Sequence, residues 1–214
     1  NKLNWTNSTG SIGGVTGTPG APPATNSAPT VDASNIIMTS GYDKLYAGKQ
    51  FKIRAIYTDA QGGATINRMD LRIGNGTDTI AMYAIKPAAG ASATIELGSG
   101  YVTAATVDTS VSGTVVTCTW SITLDWDWTE ASNYKFGIRA ADNAPETSSW
   151  ADSTISWSYE NDLILSGTLT NNANLTSGGY IKASQSVIWS GLTVYYQGSS
   201  TVSPENSDFN IKLQ

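Results

Sequence analysis

Acid–base and nucleophilic chemistry draws on few side-chain types, and this chain is nearly bare of them. It has no histidine and a single cysteine, Cys118. A Ser–His or Cys–His couple is therefore excluded, and so is a histidine-ligated metal. Carboxylates remain, and glycoside hydrolysis needs only two of them. Asp125, Asp127, Glu130, Asp142 and Glu146 supply the choice. Asp125 and Asp127 continue the polar parity of the segment before them, so they are expected to face water or a loop. No catalytic residue is assigned, and the chain is expected not to be an enzyme.

Two binding chemistries fit better. Calcium takes hard oxygen ligands. Asp142 and Asn143, Glu160-Asn161-Asp162 and Asp59 offer them near an expected domain junction, and calcium is the one cofactor these residues suggest. Asp142, Glu160 and Asp162 are the candidate ligands. Trp126, Trp128 and Trp150 could stack on sugar rings if a bend at Asp125 brings them to the surface; a straight strand would bury the first two. Asn4, Asn7, Asn75 and Asn174 each open an Asn-x-Ser/Thr sequon and are candidate glycosylation sites.

The elements that must position these residues are strands. Val116-Thr117-Cys118-Thr119-Trp120-Ser121-Ile122-Thr123-Leu124 alternates apolar with Ser/Thr, the period of a half-buried antiparallel strand. This parity puts Cys118 in the core rather than among reactive thiols. Similar segments recur at Ala33–Thr39, Tyr46–Thr58, Ile66–Ile73, Asp78–Ile85, Ala93–Leu97, Tyr101–Val107, Tyr134–Ala140 and Thr154–Tyr159, with turn residues between them. Nothing has helical period. The expectation is an all-β chain: a two-layer antiparallel sandwich over 31–160, then a smaller β unit over 161–214. That unit should hold Leu163–Leu169, Tyr180–Trp189, Leu192–Gln197 and Phe209–Leu213. Residues 1–30, rich in Gly, Ser, Thr and Pro, read as a flexible arm.

The run Trp126-Asp127-Trp128-Thr129-Glu130-Ala131-Ser132-Asn133-Tyr134-Lys135-Phe136 resembles the tyrosine-corner region of immunoglobulin-like and fibronectin type III-like domains. In those a tyrosine opens the penultimate strand and ties its hydroxyl back to the preceding loop. Tyr134 takes that position, and Trp120 could serve as the core tryptophan. The Cys-Trp-Cys pattern of antibody domains is absent. Ser166-Gly167-Thr168-Leu169 and Gly191-Leu192-Thr193-Val194-Tyr195-Tyr196-Gln197-Gly198 are similar to modules of bacterial and archaeal surface proteins. The resemblance implies an immunoglobulin-like β-sandwich of extracellular type, not an activity.

Charge narrows the partners. Only 14% of residues are charged and the net charge is −5. No basic patch is present, so nucleic acid is not an expected partner. No apolar run is long enough to span a bilayer. A sparsely charged surface can pack on copies of itself with little desolvation. The start at Asn1, without methionine or signal peptide, reads as a processed or excised chain. The small second unit is marginal alone. It is expected to be truncated, to lean on the first unit, or to be completed by a neighbouring subunit. Leu3, Trp5, Ile12 and Val15 in the arm are the candidate assembly residues. Together these features point to a secreted, non-enzymatic structural subunit of a microbial filament, sheath or surface layer. Its partner would be itself, joined by strand pairing or strand exchange. The alternative is a carbohydrate-binding or adhesin module of a larger extracellular protein, with glycans as partners.

Overall fold

A computed structural model describes residues 25–85, 90–171, 187–197, 199 and 201–204. The strands in chain order are β1 (Thr30–Val31), β2 (Ile37–Met38), β3 (Leu45–Tyr46), β4 (Gln50–Thr58), β5 (Ile66–Gly74), β6 (Thr79–Ile85), β7 (Ala91–Ser92) and β8 (Thr94–Leu97). They continue with β9 (Val102–Ser112), β10 (Val115–Leu124), β11 (Ala131–Asp142), β12 (Ala151–Asp152), β13 (Trp157–Glu160), β14 (Leu163–Asn171) and β15 (Val187–Tyr196). The chain is all-β, as its alternation predicts.

Two sheets share the core. One runs β1-β4-β10-β9-β7, with β2 also on β4; the other runs β3-β13-β11-β5-β6-β8, with β12 also on β11. Among the described residues every pairing is antiparallel except β3 on β13. The inward parity of β4 (Phe51, Ile53, Ala55, Tyr57) and of β10 (Val116, Cys118, Trp120, Ile122, Leu124) is buried, and so are Met69, Leu71 and Ile73 of β5 and Tyr134, Phe136 and Ile138 of β11. Contacts cross between the layers. Phe51 meets Phe136 with centroids 6.1 Å apart, and Cys118 Sγ lies 3.1 Å from Met69 Sδ. Cys118 is fully buried, the core residue its parity predicts, and that burial pushes its thiol up to about 12.

Local chemistry revises several strand limits. The segment Ala33–Thr39 is not one strand: the Asp32 carboxylate accepts from Ser34 N at 2.8 Å and caps a 3-10 turn over Ala33–Asn35. Tyr46–Thr58 is broken by a turn at Gly48, whose φ is 69°. β9 runs on through Asp108–Ser112, because Gly113 (φ 58°) closes a hairpin onto β10 with Ser112 opposite Val115.

The second unit differs more. Val187–Tyr196 is one strand where a break at Gly191 was expected. Ser166 pairs with Thr193 and Thr168 with Ser190, so Gly191 and Leu192 together oppose Gly167. The glycine marks a bulge rather than a turn. The expected strand residues 180–186 and Phe209–Leu213 lie outside the described residues. β14 and β15 form a two-stranded ribbon. Its base is set into the sandwich, because Tyr196 is fully buried in the same core. Leu163 and Val202 pack against that core beside it.

Candidate functional site

The outer face of the β5/β11 sheet carries the densest charge chemistry. Alternation puts Arg68, Asp70 and Arg72 of β5 beside Arg139 and Gly137 of β11; Arg139 pairs in register with Asp70, and Gly137 with Arg72. Asp70 is buried, and its two oxygens accept from Arg68 Nε at 2.7 Å and Arg139 Nε at 2.8 Å. Arg68 reaches on to Glu96 at 2.9 Å and lies over the Tyr83 ring at 3.9 Å. Trp150 sits between Arg72 and Arg139, 4.5 and 4.6 Å from the ring centre. Arg72 then meets Asp152 with Nε at 3.1 Å and Nη2 at 2.7 Å. The result is a ladder of alternating cations, carboxylates and rings. Each exposed cation–π contact contributes about 0.5–1 kcal/mol.

Beyond Arg72 the same face opens into a polar groove of about 410 Å³, lined by Asn75, Thr79, Asn133, Lys135, Asp152 and Ser156. Lys135 is exposed and makes no ion pair among the described residues. Asn75 Oδ1 accepts from Thr77 N and Asp78 N, fixing the β5–β6 turn at one wall. This lining can hydrogen-bond a polyol and attract one negative charge. It contains no nucleophile paired with a base.

A second cluster joins the ribbon to the sandwich. The chain bends at Asp125, but the bend does not expose the tryptophans as a platform. Trp128 is 1% exposed and packs on Tyr134 at 4.0 Å and Tyr159 at 5.1 Å. Trp126 is half-buried and stacks on Tyr196 at 5.7 Å and 14°. Trp150 stands instead in the arginine ladder. The three rings share no surface, so the three-tryptophan stacking site is withdrawn. The Tyr134 hydroxyl donates to Thr129 O at 2.7 Å. The Tyr159 hydroxyl donates to Asp125 O and that of Tyr196 to Ala47 O. Burial pushes Tyr134 and Tyr46 up to about 12.

The acidic junction has a different use from the one expected. Glu160 pairs with Lys44 at 2.6 Å. Asn161 Nδ2 donates to Trp126 O and Trp128 O at 2.8 and 2.9 Å. Glu130 Oε1 accepts from the Asn161 and Asp162 amides. Asp142 lies at the other end of β11 from the Ala131–Tyr159 pairing, roughly 36 Å of extended strand away. Its carboxylate accepts from Asn26 Nδ2 at 2.7 Å and from Ala144 N and Glu146 N. Asp142, Glu160 and Asp162 therefore do not converge, and among the described residues no group of three such ligands forms. Asp125 Oδ1 accepts from Asp127 N, so this carboxylate too serves its own loop.

Asn4, Asn7, Asn174, Leu3, Trp5, Ile12 and Val15 lie outside the described residues. Asn75 is half-buried at the groove wall. Sequence reading missed Arg72, Arg139, Asp70, Gly137 and Tyr196. The available signal was three charges at i, i+2, i+4 on β5 and two on β11 at matching parity.

Among the described residues no helix is long and apolar enough to cross a membrane. No protein-family model matches the chain, and no curated protein matches it. Among solved structures it is similar to the crystal structure of a DUF4466 family protein from Parabacteroides merdae, with a TM-score of 0.35 and 10% identity over 69% of this chain and 50% of that one. The chain spans about half the length of that protein.

Proposed function

We propose that this chain is a secreted, non-enzymatic structural module with an immunoglobulin-like sandwich, built to join a repeating extracellular assembly such as a microbial filament, sheath or surface layer. The strand order supports the fold reading. β1, β4, β10 and β9 follow the order of one immunoglobulin sheet, and β6, β5, β11 and β13 follow the other. Tyr134, near the start of β11 and bonded to Thr129 O five residues upstream, stands as a tyrosine corner.

The observation that carries the assembly reading is the ribbon. β14 is nine residues long, and among the described residues its one strand neighbour is β15. A strand edge of that length is a template for main-chain pairing with another chain. The low charge of the chain removes the usual guard against it. Sedimentation and electron microscopy of the full chain test the reading. Ordered, concentration-dependent oligomers are expected. Ser166→Lys with Thr168→Lys, which put two cations on the β14 edge, should disperse them with the circular dichroism unchanged. A full chain that stays monomeric at millimolar concentration ends the proposal.

A second reading, an adhesin or carbohydrate-binding module, is favoured by one feature, the groove beside Lys135. Its occupant would be a saccharide bearing an acidic group. Glycan-array binding lost in Lys135→Ala and Asn133→Ala supports it; an array without signal removes it.

A further inference from the structure

The β5–β6 turn carries the one Asn-Gly step in the sequence, Asn75-Gly76. Three other asparagines are held through Nδ2: that of Asn26 donates to Asp142, that of Asn35 to Asp32, and that of Asn161 to the Trp126 and Trp128 carbonyls. Asn75 is held through Oδ1 instead, which accepts from Thr77 N at 2.9 Å and Asp78 N at 2.8 Å. This is an Asx turn, with the side chain folded forward along the chain so that Cγ is carried towards the Gly76 amide. The same two amides polarise the side-chain carbonyl. They stand where donors must stand to stabilise an oxyanion forming on Cγ. Gly76 is exposed, and its own amide has no hydrogen-bond partner among the described residues. Its φ is 93°, and no atom lies within 4 Å of the place a Cβ would take. Nothing crowds this nitrogen on that side.

We propose that Asn75-Gly76 is a self-deamidation site, and that its product places a carboxylate in the groove beside Lys135. The Gly76 nitrogen gives its proton to water and bonds to Asn75 Cγ. The Cγ–Nδ2 bond breaks, Nδ2 takes up a proton, and ammonia leaves. A succinimide ring remains, and one water opens it. Attack at Cγ restores the ordinary main chain with an aspartate side chain. Attack at the main-chain carbonyl carbon leaves an isoaspartate. Nothing is oxidised or reduced, and water is the co-reactant. Lys135 is the register partner of Gly74 and lines the groove together with Asn75. Either product therefore sets an anion near this exposed ammonium and takes the net charge one unit below −5. The sequon Asn75-Gly76-Thr77 makes Nδ2 a glycan acceptor as well. The two modifications draw on one atom and exclude each other. The inference stands on the turn alone and holds whatever the groove binds and whether or not the chain assembles.

Peptide mapping by mass spectrometry tests it, on the full chain made without glycosylation. The chain is held at mildly alkaline pH in water labelled with heavy oxygen, both folded and in guanidinium chloride. Asn75 should convert ahead of every other asparagine, to a mixture of aspartate and isoaspartate carrying a single labelled oxygen. Conversion should be at least as fast in the folded chain as in the unfolded one. Slower conversion in the folded chain overturns the inference, because the turn would then protect the side chain instead of presenting it. Aspartate without isoaspartate also overturns it, since water would then have attacked the side-chain amide directly. Gly76→Ala should slow conversion about tenfold, because a Cβ crowds the attacking nitrogen and resists the positive φ. An unchanged rate in that variant removes the Gly76 amide as the nucleophile. If Gly76→Ala fails to fold, the comparison of folded and unfolded wild type decides alone.

Discussion

Gly137 and Asp152 are register partners across β11 and β12, and a Cβ on the glycine would lie 2.3 Å from Asp152 Oδ1 and 2.6 Å from Arg72 Nε. The arginine–carboxylate fork therefore rests on bare backbone. A glycine in mid-strand costs β stability. Here it makes room for a bidentate pair and for the Trp150 ring held by the same arginine.

Gly137→Ala should lower stability by about 1–3 kcal/mol, the cost of overpacking a filled site. Urea denaturation measures it, and near-ultraviolet circular dichroism should lose the Trp150 signal. Combined with Asp152→Ala the effects should be less than additive, because the second change removes the obstruction. Full additivity would mean that the two residues do not share the site.

Tyr134→Phe deletes the bond to Thr129 O and little else, since the ring stays packed on Trp128. A loss of about 1 kcal/mol is expected, the net worth of one such hydrogen bond. An unchanged denaturation midpoint would show that the corner is decorative.

Tyr46 and Tyr134 have pKa values raised from 10.0 to about 12, and burial is the first cause for both. Raised acids keep their protons in the folded chain after the unfolded chain has lost them. Their contribution is thus complete below pH 10.0 and is lost as pH rises towards about 12. Tyrosinate absorbance and tryptophan fluorescence should change together across that window. Smooth ionisation of all tyrosines at the free value, with the fold intact, would contradict the burial.

Asp142 is shifted the other way. The Asn26 amide and then the Glu146 and Ala144 amides hold its carboxyl below 3.8, against the opposing effect of burial. Its contribution is full above pH 3.8 and disappears as pH falls through the folded value. The stability difference between the wild type and Asp142→Asn should therefore be constant from neutral pH down to about 3.8 and shrink below it. A difference that does not change in acid would place Asp142 outside this network.

The layered body was legible in the sequence because period-two alternation is a property of single residues. Cys118, Trp120 and Tyr134 went where their parity put them. The ladder was not legible, because Arg72, Trp150 and Asp152 come from separate segments and meet only through the β5–β11–β12 register. The acidic junction misled for a related reason. Asp142 and Glu160 are 18 residues apart in the chain, but β11 and β13 run antiparallel and carry them to opposite ends. Trp126 and Trp128 have the same strand parity, yet the turn at Asp125 buries one and stacks the other on Tyr196. Gly191 reads as a stop until the pairing of Ser166 and Thr168 shows that it is an extra residue.

Tyr196 gives the ribbon a mechanical root. Its ring lies against Trp126 and Tyr46, its hydroxyl holds Ala47 O, and Gln197 N is bonded to Asp162 O where β14 begins. A pull on the ribbon is carried into the aromatic interior through this anchor, not through a slack tether. Traction on the ribbon would meet Tyr196 and the parallel β3–β13 rungs as its first resistance.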